Sequence, residues 1–114
     1  MAWIAQEVLT QLGRDTGEEL LPDLVAIFVE DGEVNLRALS TALANENAEA
    51  LLLLAHTLKS VCATYGALVC HEQALALELA CRQLDWPAIR QGVSDLLLSL
   101  PASSAELQQR VANP

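Results

Sequence analysis

The chain has 114 residues, enough for one domain and too few for a second hydrophobic core. It is 53% hydrophobic but only 4% aromatic, and its Ala- and Leu-rich composition favours helices over strands. Its 15 acidic and 6 basic residues give a net charge of -9, which argues against nucleic-acid binding and against a polybasic attachment to anionic lipid.

A short first helix is predicted over Ala2 to Leu12, with Trp3, Ile4, Val8 and Leu12 at helical spacing and Gly13 as its end. Asp15 or Thr16 is expected to cap the second helix. Glu18 and Glu19 lie in its first turn, near the positive end of the dipole, with Pro22 in or close to that turn. Leu24, Ile27, Phe28, Val34 and Leu39 carry the pattern to about Leu43, weakened at Gly32. Asn45 to Asn47 interrupt it. Asn47 is placed to cap a third helix from Ala48 to about Tyr65, which Gly66 ends or bends. A fourth runs from Ala67 to about Leu84, with Leu68, Leu75, Leu77, Leu79 and Leu84. Asp85 caps a fifth, in which Pro87 takes an early position and Ile89, Val93, Leu96, Leu97 and Leu100 face inward. Pro101 is expected to stop it, leaving a weak terminal helix or tail over 101–114. Four longer helices with short connections predict an all-α, antiparallel four-helix bundle with a short N-terminal helix flanking it. The expected domain is single, over 1–114, with its core roughly over 4–100.

Cys62, Cys70 and Cys81 are odd in number and form no CxxC pair, so buried free thiols in a reducing cytosol are expected. No signal peptide is visible, and the apolar run Leu51 to Ala55 is too short to span a membrane. A cytoplasmic monomer is the expectation.

Chemistry concentrates at Ala55-His56-Thr57-Leu58-Lys59-Ser60 and Tyr65-Gly66-Ala67. At 100° per residue, Leu51, Leu54, Ala55, Leu58, Val61, Cys62 and Tyr65 form a core side. Leu52, His56, Lys59, Ser60 and Ala63 fall on the other side, with small side chains leaving space beside His56. A solvated histidine titrates near neutrality, so much of it is the neutral nucleophile at pH 7. Lys59, the one lysine in the chain, stands a turn away and can steady an incoming negative charge. Helix geometry permits this role without requiring it, since an exposed His beside a Lys is ordinary.

The residues Ala55-His56-Thr57-Leu58-Lys59, then Gly66-Ala67, then Leu77-Glu78, resemble the signature of histidine-containing phosphotransfer domains. That family shows Ala-His-x-Leu-Lys-Gly, a later Gly-Ala pair and a Leu-Glu. The stretch from Glu19-Leu20-Leu21 through Phe28 and Leu39 resembles its second helix, and the similarity spans roughly Ile4 to Leu98. The resemblance implies a phosphorelay intermediate. His56 would accept a phosphoryl group from a receiver-domain aspartate and pass it to another receiver. It also implies a carrier rather than an enzyme, with no ATP site, no metal or cofactor of its own, and Mg²⁺ only in the receiver. The implied partners are receiver domains of response regulators or of a hybrid sensor kinase. Ser60 departs from the family's glycine and Ala74 from its usual Cys. By register the family places polar residues at Glu78 and Arg82: Arg82 as a second positive charge at the phosphoryl group, Glu78 to orient Lys59 or Arg82. Leu52 and Leu53, with Ser60, Ala63, Gly66 and Glu78, are the expected partner-binding residues, at least one of the two leucines being solvent-facing.

Rival readings are a helical module that docks receivers without carrying phosphate, kept open by Ser60, and an enzyme with Cys70 or Cys81 as nucleophile. His71 lacks the Ala-x-Leu-Lys context and is expected to be a partly exposed structural histidine.

Overall fold

The computed structural model describes residues 2–112, and within them every regular element is helical. Helix α1 spans Gln6–Thr16, a single 3₁₀ turn spans Glu18–Leu20, and α2 to α5 span Leu21–Ala44, Ala48–Tyr65, Leu68–Gln83 and Trp86–Ala112. Helices α2 to α5 form the antiparallel bundle: α3 packs on α4, α4 on α5, α5 on α2 and α2 on α3. Helix α1 flanks it, resting mainly on α3.

The best-defined ends are those of α3. Asn47 accepts a hydrogen bond from the Ala50 amide, which satisfies one of the orphan donors of the first turn. Gly66 ends the helix in the left-handed region at φ 78°, where L side chains are disfavoured. Its surroundings are also closed: a Cβ there would lie 2.8 Å from the Ala5 carbonyl and 3.1 Å from Val8. The chain entering α1 therefore lies directly on the α3–α4 turn, and the Ala5 amide donates to the Gly66 carbonyl.

Five local expectations are corrected. Trp3 and Ile4 precede the first helix, which starts at Gln6 and runs through buried Gly13 to Thr16. It ends instead at Gly17, with φ 107°. Neither Asp15 nor Thr16 caps α2; the Thr16 hydroxyl donates to the Leu12 carbonyl inside α1, and Asp15 accepts from Gln11. Pro101 does not stop α5, which continues to Ala112, with Ser103 and Leu107 buried. Proline deprives the Leu97 carbonyl of its ladder partner. Both residues lie on an exposed stretch where water can replace it. The expected tail over 101–114 is thus part of the packed helix through 112, while positions 113 and 114, like position 1, lie outside the described residues. Leu97, expected inside, is 38% exposed.

The core joins Leu51, Ala55, Leu58 and Cys62 of α3 to Ala74 and Leu77 of α4 and to Ile89, Val93, Leu96 and Leu100 of α5. At Gly92 the α4 and α5 backbones close up; a Cβ there would meet Leu77 at 3.2–3.3 Å. Leu77 thereby faces the core while its neighbour Glu78 is turned towards α3. The three cysteines are all buried free thiols. The neighbouring Cys70 and burial push the Cys62 thiol well up, and burial raises that of Cys81. Hydrogen bonds from Cys62, Ser103 and Ser99 lower the Cys70 thiol, but Cys70 is fully enclosed and Cys81 is 4% exposed, so neither presents a nucleophile to a substrate and that reading is set aside. No helix among the described residues is long and apolar enough to cross a membrane.

Candidate functional site

The site is a junction of α3 and α4 organised by one carboxylate. The Glu78 side chain is only 7% exposed, yet it faces three basic groups. One oxygen, Oε2, accepts from His56 Nδ1 at 2.7 Å, and the other, Oε1, accepts from Lys59 Nζ at 2.8 Å. The Arg82 guanidinium reaches Oε2 at 3.4 Å, a loose contact from a side chain that is 60% exposed. The spacing of α3 explains the convergence: His56 and Lys59 are neighbours one turn apart, on the flank that α4 covers.

Hydrogen bonds from Lys59 and His56 hold the Glu78 carboxyl well below its ordinary 4.5, at about 2, against the opposing effect of burial. At neutral pH it is ionised and can only accept. The proton it binds on His56 is therefore on Nδ1, and neutral His56 keeps its lone pair on Nε2. Nε2 has no partner among the described residues, and the His56 side chain is 62% exposed. One carboxylate against the two permanent cations, Lys59 and Arg82, leaves the junction net positive on a chain of charge -9. A dianionic group approaching His56 therefore meets local attraction within a repulsive surround.

The expected site residues separate into three groups. His56, Lys59 and Glu78 are brought into direct contact, and Arg82 joins at the margin. Leu53 and Ser60 are exposed beside His56, whereas Ala63 is half-buried and Leu52 is half-buried against the core. Gly66 does not belong to a docking surface; it is buried beneath Ala5 and Val8. Nor is Glu78 a docking residue, being enclosed among the basic side chains it binds. Sequence reasoning assigned Glu78 to Lys59 or Arg82 and missed its bond to the histidine itself. The available signal was its position: it shares α4's core-ward face with Leu77 and Cys81, where an acidic residue needs a partner. Also missed were Leu75 and Leu79 of α4, 48% and 55% exposed, which line a shallow hollow with Glu78 and Arg82. With Leu53, 64% exposed, they give the polar centre an apolar rim.

Residues 23–112 match the family model of the Hpt domain, which covers most of the chain. The chain belongs to the Hpt-domain family, whose members are phosphocarriers of phosphorelays that interact with receiver domains. Its fold is that of the histidine-containing phosphotransfer protein B of Pseudomonas aeruginosa PAO1. The two match with a TM-score of 0.91 at 24% sequence identity, over 98% of this chain and 96% of that one. No curated protein matches the chain in sequence.

Proposed function

We propose that this domain is a phosphorelay intermediate that carries a phosphoryl group on Nε2 of His56, received from one receiver-domain aspartate and delivered to another. The observation that carries this reading is the Glu78–His56 bond, which leaves an exposed nitrogen lone pair on a ring of fixed tautomer. In transfer, Nε2 forms the N–P bond as the aspartyl O–P bond breaks, and the carboxylate leaves with the electron pair. The Nδ1 proton stays between ring and Glu78. The carboxylate offsets the positive charge that develops on the imidazole, an arrangement already in place before reaction. Lys59, and more weakly Arg82, counter the phosphoryl charge. Mg²⁺ and the rest of the catalytic apparatus belong to the receiver, and the chain itself binds no ATP. The apolar rim of Leu53, Leu75 and Leu79 is where the receiver docks, which lets an acidic chain bind through apolar contact.

The test is incubation with a phosphorylated receiver domain. Acid-labile, base-stable label is expected on the wild-type chain and none on His56→Gln. Label that persists in that variant would overturn the assignment. Absence of label with every receiver of the host would favour a docking module that carries no phosphate.

A further inference from the structure

His71 takes no part in the transfer just described, yet it is tied to the same segment of α3. Its Nδ1 lies 2.8 Å from the Lys59 carbonyl oxygen. A carbonyl only accepts, so His71 donates. That carbonyl lies within continuous α3 and faces the ladder donor four residues on, so His71 takes its second lone pair. Lys59 is thus held by α4 at both ends, its ammonium by Glu78 and its carbonyl by His71.

His71 and Glu78 are two turns apart on α4 and, at 100° per residue, point in nearly the same direction. They are two anchors on one face, about 10 Å apart along the axis. A single anchor lets a helix swivel about that point; a second one further along the same face fixes the direction of its axis. The stakes are geometric. A swivel of about 6° about the His71 anchor displaces Glu78, about 10 Å along the axis, by about 1 Å, enough to break bonds of this length. On the opposite side of α4, Gly92 admits Leu77 closely, so the helix is clamped from both flanks.

We infer that His71 is a positioning residue, which stops α4 from swivelling on α3 and so keeps Glu78 aligned with His56 and Lys59. This rests on the reading of His56 as the phosphoacceptor for its consequence, but not for its geometry. Asn at position 71 places an amide donor near the position of Nδ1; Gln places it near Nε2, and Ala removes it while favouring the helix.

The experiment compares wild type, His71→Asn, His71→Gln and His71→Ala by two readouts. The first is nitrogen NMR of the His56 ring, which reports the Nδ1 proton and its exchange with water. The second is the rate of His56 phosphorylation by phosphoramidate. In His71→Ala, exchange should rise and phosphorylation fall by about three- to tenfold, the worth of one ordinary hydrogen bond. His71→Asn should return both to within about twofold, and His71→Gln should not. Wild-type ring signals and rate in His71→Ala would overturn the inference, as would equal behaviour of the Asn and Gln variants. If His71→Ala fails to fold, the Asn and Gln pair decides. If wild type takes no phosphate, the ring-nitrogen readout still tests His71, so failure of the carrier reading is seen separately.

Discussion

Glu78 and Glu106 are the same device put to different ends. Each is a largely enclosed carboxylate that gathers three donors, and each has an arginine one turn further along its own helix. Glu78 takes His56, Lys59 and, loosely, Arg82. Glu106 takes the backbone amides of Trp3 and Ile4, at 3.2 and 2.8 Å, and Arg110 at 2.7 Å. Arg110 also donates to Gln6, so the two ends of the chain are clasped together. What differs is the donor. Backbone amides held by Glu106 are used up in fastening the entry to α1, which in turn lies on the Gly66 turn. The imidazole held by Glu78 retains a second nitrogen, and fastening one side of the ring prepares the other. A carboxylate therefore makes structure or reactivity according to whether its partner has anything left to offer.

Substitutions at the two carboxylates should separate these roles. Glu78→Ala is expected to slow His56 phosphorylation by about 10- to 100-fold, because the ring loses its tautomer and its counter-charge together. Glu106→Ala should leave that rate near wild type at low temperature. It should instead lower stability by about 2 kcal/mol, a fall in the thermal midpoint of roughly 8 °C, since charge-assisted bonds to two amides are lost. If both variants lose rate and midpoint in parallel, the distinction fails.

Acid should sharpen the contrast. The Glu78 carboxyl titrates at about 2 in the fold against an ordinary 4.5. A depressed carboxyl stabilises the fold fully above its unfolded value, and that contribution is lost as pH falls towards the folded one. Urea midpoints of wild type and Glu78→Gln should therefore differ at pH 6 and converge between about pH 4.5 and 2. A gap that stays constant to pH 2 would show that ionisation of Glu78 is not what binds the basic groups. The smallest effect is expected at Arg82, whose contact is long and solvated. Arg82→Ala should change the phosphorylation rate by no more than about twofold and leave the thermal midpoint unchanged.

Much of this was legible in the residues. The residues predict helix α3 from Ala48 to Tyr65 with its Asn47 cap because both ends carry local chemistry: a side-chain acceptor at one, a left-handed glycine at the other. His56 and Lys59 fall together for the same reason, since one turn of helix fixes their separation. The misread positions were those where a distant contact overrides a local rule. Pro101 ends helices in isolation. Here burial of Ser103 and Leu107 and the Glu106 clasp hold the far side of α5 in place across it. Gly13 is a plausible stop, but Glu18 and Leu21 close over it and the helix passes through. Leu75 and Leu79 read as core by their chemistry. They are exposed because α3 and α5 already occupy the two flanks of α4 that the bundle can bury.

By itself the sequence determined an all-helical bundle, its α3 boundaries and an outward histidine beside a lysine, because hydrophobic period and helix caps act within a few residues. Tertiary structure alone decided which nitrogen of His56 is free. That choice belongs to Glu78, 22 residues away on another helix, and carboxylate and ring meet only when α4 packs on α3 at a fixed rotation. A proton shared across two helices has no local pattern to announce it.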